Sequence, residues 1–323
     1  PLGTGGPVVG AIGLGCMSFG GAYGPTDLAA SRACLDAAWA AGIDHLDIAN
    51  IYGQGVCETV VGDWLADRRH PVTLATKGGI VAGPDRRFDN SPAHLRAELD
   101  GSLRRLRVDH VALYYLHRRD PSVPIEDVAG LMADLVAAGK IGGWGLSEVA
   151  PATLRRAHAI HPVRAVQSEY SLWTRLPELG MIRACTELGV AFVAFSPLGR
   201  GMFGDAPVDP ARFPPGDFRL TNPRFTAPNL AANEAAIAPL RAFARSRGWP
   251  LAALALAWVL DRAPHVHAIP GTRTAAHLAD WLPAAGIALT EADRAEIDRL
   301  LPPGFAHGAR YASSAAAGVE EYA

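Results

Sequence analysis

The chain of 323 residues is 49% hydrophobic and 19% charged, enough apolar material for a large core and near the size of one barrel domain with added loops. Its 30 basic and 32 acidic side chains are interspersed and leave a formal charge of -2, so no basic stripe exists for nucleic acid and no polyanionic partner is expected. Cys16, Cys34, Cys57 and Cys185 form no CxxC pair and the longest apolar run is too short to cross a bilayer, which leads us to expect reduced thiols, no membrane association and a soluble, cytoplasmic protein without a structural metal.

Short runs rich in Val, Ile and Leu alternate with longer segments of helical period, the pattern of repeated strand-helix units around a parallel sheet. In chain order, strands at 11–14, 45–48 and 72–76 are followed by helices at 27–41, 58–66 and 92–106, the last opened by Ser91 as N-cap and Pro92 at the first helical position. Strands at 111–116, 141–146 and 165–168 precede helices at 125–138, 152–159 and 177–188, with Gly139 and Gly189 placed where helices stop. A strand at 191–195 leads into an irregular stretch, 198–232, carrying six prolines with Phe203, Phe213, Phe218 and Phe225. A loop of that length usually serves as a lid or binding loop. A helix at 235–246, a strand at 266–269 and a helix at 274–281 complete the alternation, while 251–262 and 291–300 fall outside it. The expected fold is therefore α/β, a (β/α)8 TIM barrel in a single domain over residues 1–323, with those two extra helices outside it and a long loop after the seventh strand.

In such a barrel the C-terminal strand ends face the active site. Asp47 ends the second predicted strand, Tyr52 follows it, Lys77 ends the third and His117 the fourth. A tyrosine is a poor acid near neutrality, so a cation beside it, Lys77, is expected to lower its pKa. Asp47 can hold Lys77 as an ion pair, and His117 can orient a substrate oxygen beside the phenol. Taken singly, each has a plainer reading: a surface ion pair for Asp47 or Lys77, a satisfied core tyrosine for Tyr52, and a solvated loop residue for His117 beside Arg118 and Arg119. Their joint placement favours a catalytic set. The match of Gly199, Gly201 and Gly204 to GxGxxG is discounted, because the Pro- and Phe-rich text after it cannot open the helix that a dinucleotide fingerprint requires.

Across essentially the whole chain, the segments GLGCM (13–17), IDHLDIANIYG (43–53), LATKGG (74–79), LYYLH (113–117), GLSE (145–148), VQSEYSL (166–172), FSPLGRG (195–201) and IPGTR (269–273) resemble the signature stretches of the aldo-keto reductase family. The resemblance implies NADP(H)-dependent reduction of a carbonyl compound by hydride from nicotinamide C4, with Tyr52 as general acid and Asp47, Lys77 and His117 completing its tetrad. It places Met17 and Asp47 against the cofactor, and Ser147, Glu148 and Gln167 at the carboxamide. Many relatives carry Asn where Glu148 stands, and a plain structural role for Glu148 stays open. Phe195 holds the place of the tyrosine that usually stacks on the nicotinamide. Ser196, Pro197, Leu198, Arg200 and Gly201 follow, and the backbone N–H groups of this stretch, with the Arg200 cation, suit a pyrophosphate. Gly271, Thr272 and Arg273 lead into a predicted helix whose N-terminus can meet a phosphate, with Arg273 as the 2′-phosphate ligand and His277 and Asp280 further along; Trp281 also departs from common family choices.

Candidate substrate walls are Met17, Phe19 and Tyr23 of the first loop, Trp173 after the sixth strand, and Phe203 and Phe218 of the long loop. Flat or apolar carbonyl compounds are expected over sugar phosphates, for want of a second cationic site. One rival is a nucleotide-sensing subunit of the same fold with little turnover. Another, a metal-dependent barrel hydrolase using His265 and His267, is disfavoured because alternate residues of a strand point to opposite faces. The protein is expected to be a monomer or homo-oligomer, and the tail, 312–323, either disordered or closed over the site.

Overall fold

The computed structural model of the chain describes residues 1–83 and 87–322. Its strands are β1 (Leu14–Gly15), β2 (His45–Asp47), β3 (Thr73–Gly78), β4 (Ile80–Val81), β5 (Arg87–Phe88), β6 (Leu113–Leu116), β7 (Trp144–Ser147), β8 (Ala165–Glu169), β9 (Ala191–Phe195) and β10 (Val266–Ile269). All but β4 and β5 join one eight-stranded parallel sheet in the order β1-β2-β3-β6-β7-β8-β9-β10. The bridges Ile12–Ala268 and Gly15–Gly271 bring its last strand back to its first. The barrel is closed, as the alternation of strands and helices predicts. The antiparallel hairpin β4–β5 at the mouth was not expected.

Strands sandwiched between barrel interior and helix layer must be apolar or satisfied on both faces, and β2, β6, β7 and β8 are buried at every residue. Small Ala75, Ala165 and Ala191 share the interior with Tyr115, Val193 and Ile269, and Leu2 from the N-terminus is buried among them. Tyr115 lies across its neighbour strand because position 145 is glycine: a Cβ there would stand 2.4 Å from the ring.

The helices are α1 (Leu28–Ala40), α2 (Val56–Arg68), α3 (Pro92–Leu106), α4 (Ile125–Ala137), α5 (Pro151–Ile160), α6 (Met181–Leu188), α7 (Asn229–Ser246), α8 (Leu251–Leu260), α9 (Leu278–Trp281), α10 (Glu291–Leu300) and α11 (Ser313–Ala316). Besides the short α11 of the C-terminal segment, two helices are additional, but one is not the helix expected. α8, read as outside the barrel, packs directly on β10, and α7, read as part of the wall, packs on α8 and α10. The reason is patterning: α8 is apolar all round and buried at every position except Leu260, as a helix between two layers must be, whereas α7 has one wet face.

Two predicted helices are shortened. The sixth breaks at Gly180 into a 3-10 turn (Leu176–Leu179) and α6. The last begins only at Leu278, because the Thr272 hydroxyl accepts from the Thr274 N–H at 3.2 Å and donates to its carbonyl at 3.1 Å, a local turn that competes with the helix. The expected helix N-terminus at Thr274 is therefore absent, and Gly271 to Arg273 form a loop. Between β9 and α7 the chain makes four 3-10 turns and no helix, which bears out the rejection of the glycine fingerprint. No helix among the described residues is long and apolar enough to cross a membrane. In the tail, Ala323 lies outside the described residues; 312–322 fold against the barrel, with Glu320 accepting from Ala150 N–H at 2.7 Å and pairing with Arg119 at 2.9 Å.

Candidate active site

Parallel pairing sets Asp47 opposite Ala75, so Lys77, two residues on, projects from the same face at the mouth. Lys77 is fully buried, and its Nζ donates to Asp47 Oδ1 in a short ion pair, to the Ile48 carbonyl at 2.8 Å and to Tyr52 Oη at 3.2 Å. An ammonium only donates. The phenol oxygen therefore accepts from Lys77, and its own proton points elsewhere. The other Asp47 oxygen accepts from Gln167 Nε2 at 2.7 Å. Tyr52 is carried by a turn pressed onto Gly20, where a Cβ would lie 2.6 Å from the Gly53 nitrogen. Its ring meets that of His117 edge-on, centroids 5.7 Å apart. All four predicted catalytic residues are thus together at one mouth.

The electrostatics differ from expectation in one respect. Burial raises the Tyr52 phenol, Lys77 pulls it back down, and burial prevails, so its pKa lies above the ordinary 10 rather than below it. Burial also pulls the Lys77 ammonium down, but Asp47 and Tyr52 outweigh it and the net direction is up. Lys77 stays charged.

Above the tetrad opens a cavity of about 830 Å³. Met17 and Tyr23 of the first loop line it, with Asp47, Tyr52, His117, Ser147 and Gln167 at its base. Phe195, Ser196, Pro197, Leu198, Arg200 and Gly201 form one side after β9, joined by Phe203 and Phe218 of the long loop. Gly271, Thr272, Arg273, His277 and Asp280 form another after β10.

Three predicted site residues lie elsewhere. Phe19 is fully buried in the main core, because on the 3-10 turn Met17–Gly20 it faces away from Met17. Trp173 is buried beneath the long loop, edge-on to Phe203 and Phe225 with the Arg224 guanidinium 4.8 Å above its ring. Glu148 has a left-handed backbone (φ 56°), which turns its side chain out of the cavity. Its carboxylate accepts from Glu169 N–H at 2.7 Å and pairs with Arg310 of the tail. The plain structural role left open for Glu148 is the one the geometry supports.

Cationic groups around the cavity differ in their partners. Arg200 is buried against Glu169 at 2.7 Å, its guanidinium 5.2 Å from the Phe218 ring centroid and 5.0 Å from that of Tyr311, while Arg219 pairs with Asp217 at 2.7 Å. Arg273 donates to the Tyr23 carbonyl at 2.8 Å, and no carboxylate among the described residues lies within ion-pair distance of it. Among the lining residues that sequence reasoning missed are Arg118, Arg219 and Tyr311. Arg118 carried a signal, its place directly after a strand-end histidine; Tyr311 carried none, since only the folded tail brings it here. His265 and His267 point apart, to the carbonyls of Ile182 and Gly10, each 3.2 Å away.

Residues 11–302 match the family described as Aldo/keto reductase family. The chain is 40% identical over 314 residues to a probable aldo-keto reductase 1 of Glycine max, covering 96% of this chain and 90% of that one. Among solved structures, a glycerol dehydrogenase from Gluconobacter oxydans superposes with a TM-score of 0.83 at 29% identity over 91% of both chains. An aldo/keto reductase from Klebsiella pneumoniae in complex with NADP and acetate gives a TM-score of 0.71 at 28% identity, covering 94% of this chain and 95% of that one.

Proposed function

Because the chain belongs to the aldo/keto reductase family, we propose that it is an NADP(H)-dependent oxidoreductase that reduces a small aldehyde or ketone to the alcohol, with Tyr52 as general acid. The observation that carries this reading is the hydrogen bond from buried Lys77 to the Tyr52 oxygen at the base of a deep cavity. A dinucleotide suits that cavity on two grounds. Its volume, about 830 Å³, lies in the range of ligand pockets, and Arg273 is a cation without a carboxylate partner among the described residues, as a phosphate ligand should be. Related structures hold NADP or NADPH. Ser147 and Gln167 would hold the carboxamide end, Phe195 would stack, Ser196 to Gly201 would meet the pyrophosphate and Arg273 the 2′-phosphate.

When bound, the reduced nicotinamide supplies a hydride from C4. Tyr52, protonated because burial raises its pKa, donates its proton to the carbonyl oxygen as charge develops there. Lys77 holds the phenol oxygen from behind and stabilises the phenolate left by that transfer. Asp47 fixes Lys77, and His117, at the edge of the Tyr52 ring, orients the carbonyl. Glu148 has no part in it. Adding an aldehyde panel to enzyme and NADPH tests the proposal: continuous NADPH consumption supports a reductase, whereas one slow turnover per protein would favour the nucleotide sensor.

A further inference from the structure

We propose that Arg118 is an anion-recognition residue of the substrate pocket, so that favoured substrates carry a carboxylate near the carbonyl to be reduced. The inference rests on the reductase reading. Arg118 directly follows His117 at the end of β6, is 6% exposed and lines the cavity. It is a buried cation.

Burying a charge is costly unless an opposite charge or a full set of hydrogen bonds compensates it. Arg200 and Arg219 in the same cavity have Glu169 and Asp217. Arg118 lies within ion-pair distance of no carboxylate among the described residues. Its Nη1 donates to the His117 carbonyl at 2.6 Å and to Ser147 Oγ at 2.8 Å, while its Nε is buried with no hydrogen-bond partner. A guanidinium has five N–H donors in a planar fork matched to a carboxylate. Its charge therefore remains to be met from the cavity that it lines.

Topology separates this cation from the cofactor phosphates. In the eight-stranded order, β6 and β10 are four strands apart, on opposite sides of the barrel. Arg273, after β10, faces the nucleotide end, and Arg118, after β6, stands beside the proton donor. Its charge bears on the hydroxyls of both Tyr52 and Tyr311, opposing the rise that burial gives each. Arg119 offers no second cation there, since it pairs with Glu320 at 2.9 Å. Ile80, Val81 and the Tyr23 ring add apolar lining to the same cavity. An apolar or aromatic body with a carboxylate fits this distribution; the neutral carbonyl compounds expected from the sequence alone do not use the cation.

The test compares 4-formylbenzoate with its methyl ester in wild type, R118K and R118L, and separately measures benzoate binding to the NADPH holoenzyme by calorimetry. Wild type should favour the acid in kcat/KM by roughly tenfold or more, the usual effect of a charge-assisted hydrogen bond. That ratio should collapse towards one in R118L and survive in part in R118K, which keeps charge but not the fork; benzoate should bind wild type and weaken by a similar factor in R118L. A ratio near one in wild type, or the same ratio in wild type and R118L, overturns the proposal. If both aldehydes are reduced but benzoate does not bind the holoenzyme, the anion site fails while the reductase reading stands. If neither is reduced yet benzoate binds through Arg118, the reductase reading fails and the anion site stands.

Discussion

Replacing Tyr52 by Phe removes one oxygen atom, and the structure states what that atom holds. It accepts one hydrogen bond, from Lys77 at 3.2 Å, while Lys77 retains Asp47 and the Ile48 carbonyl at 2.8 Å. The ring keeps its edge contact with His117. Loss of one such bond costs about 0.5–1.5 kcal/mol, a change of a few degrees at most in Tm for a domain of this size. Loss of the general acid should lower kcat by roughly 10²- to 10⁴-fold. Lys77→Met inverts this balance: Tyr52 keeps its hydroxyl, but the Asp47 carboxylate, whose side chain is 3% exposed, is left with Gln167 alone at 2.7 Å. Breaking a buried ion pair from one side costs about 3–5 kcal/mol. Steady-state loss of nicotinamide absorbance, NADPH affinity by fluorescence titration and thermal unfolding separate the two variants. A Tyr52→Phe enzyme turning over within tenfold of wild type would refute the assignment of the acid, and a Lys77→Met protein as stable as Tyr52→Phe would refute the ion-pair argument.

Arg273→Ala should raise the KM for NADPH roughly tenfold or more and leave that for NADH nearly unchanged, since a charge-assisted contact to the 2′-phosphate is lost; a wild-type preference for NADH would overturn it. His45 is fully buried, and burial lowers its pKa from 6.5 to about 4. The unfolded chain therefore binds a proton that the folded chain rejects between those values, and this site alone should remove about 3 kcal/mol of stability as pH falls from about 6.5 to about 4. Denaturant unfolding at several pH values, with His45→Gln as reference, checks the slope, and identical slopes would sink the idea. Arg310→Ala should cost about 3 kcal/mol by leaving the buried Glu148 and Glu169 carboxylates short of a cation, and should speed hydrogen exchange at 311–322, where unchanged exchange would show the ion pairs do not hold the tail.

What was legible in the sequence depended on how local the cause is. The strand ends carrying Asp47, Lys77 and His117 follow from apolar runs, and α3 begins where Ser91 and Pro92 place it. α10 runs over its predicted span, opened by Thr290 and Asp293 as a capping box. Layer order was harder. α7 and α8 are both evident as helices, but which one touches the sheet is decided by whether a helix is apolar on one face or all round. Phe19, Trp173 and Glu148 are side-chain directions, set by the phase of a short turn, by the cover of a distant loop and by a left-handed backbone angle. None of these has a local signature. Arg118 was named only as a neighbour of His117, because an arginine in a loop is ordinarily solvated and only the folded mouth shows that this one is not.

The Tyr52 phenol shows how burial reverses an argument made from residue types alone. A lysine beside a tyrosine lowers its pKa when both are hydrated, but here the Lys77 charge is also engaged by Asp47, and Asp47 itself pushes the phenol up. The pair presents little net charge to the phenol, so desolvation decides the direction. Lys77 thus contributes less by acidifying the ground state than by what it does as the proton leaves: an ammonium already oriented on the phenol oxygen stabilises the emerging phenolate without having to rearrange. Asp47 and the Ile48 carbonyl are what keep it oriented. The catalytic unit is in this sense the buried pair of Asp47 and Lys77 acting on the partly buried Tyr52, which lines the cavity, and the barrel's part is to keep the ion pair dry behind the phenol.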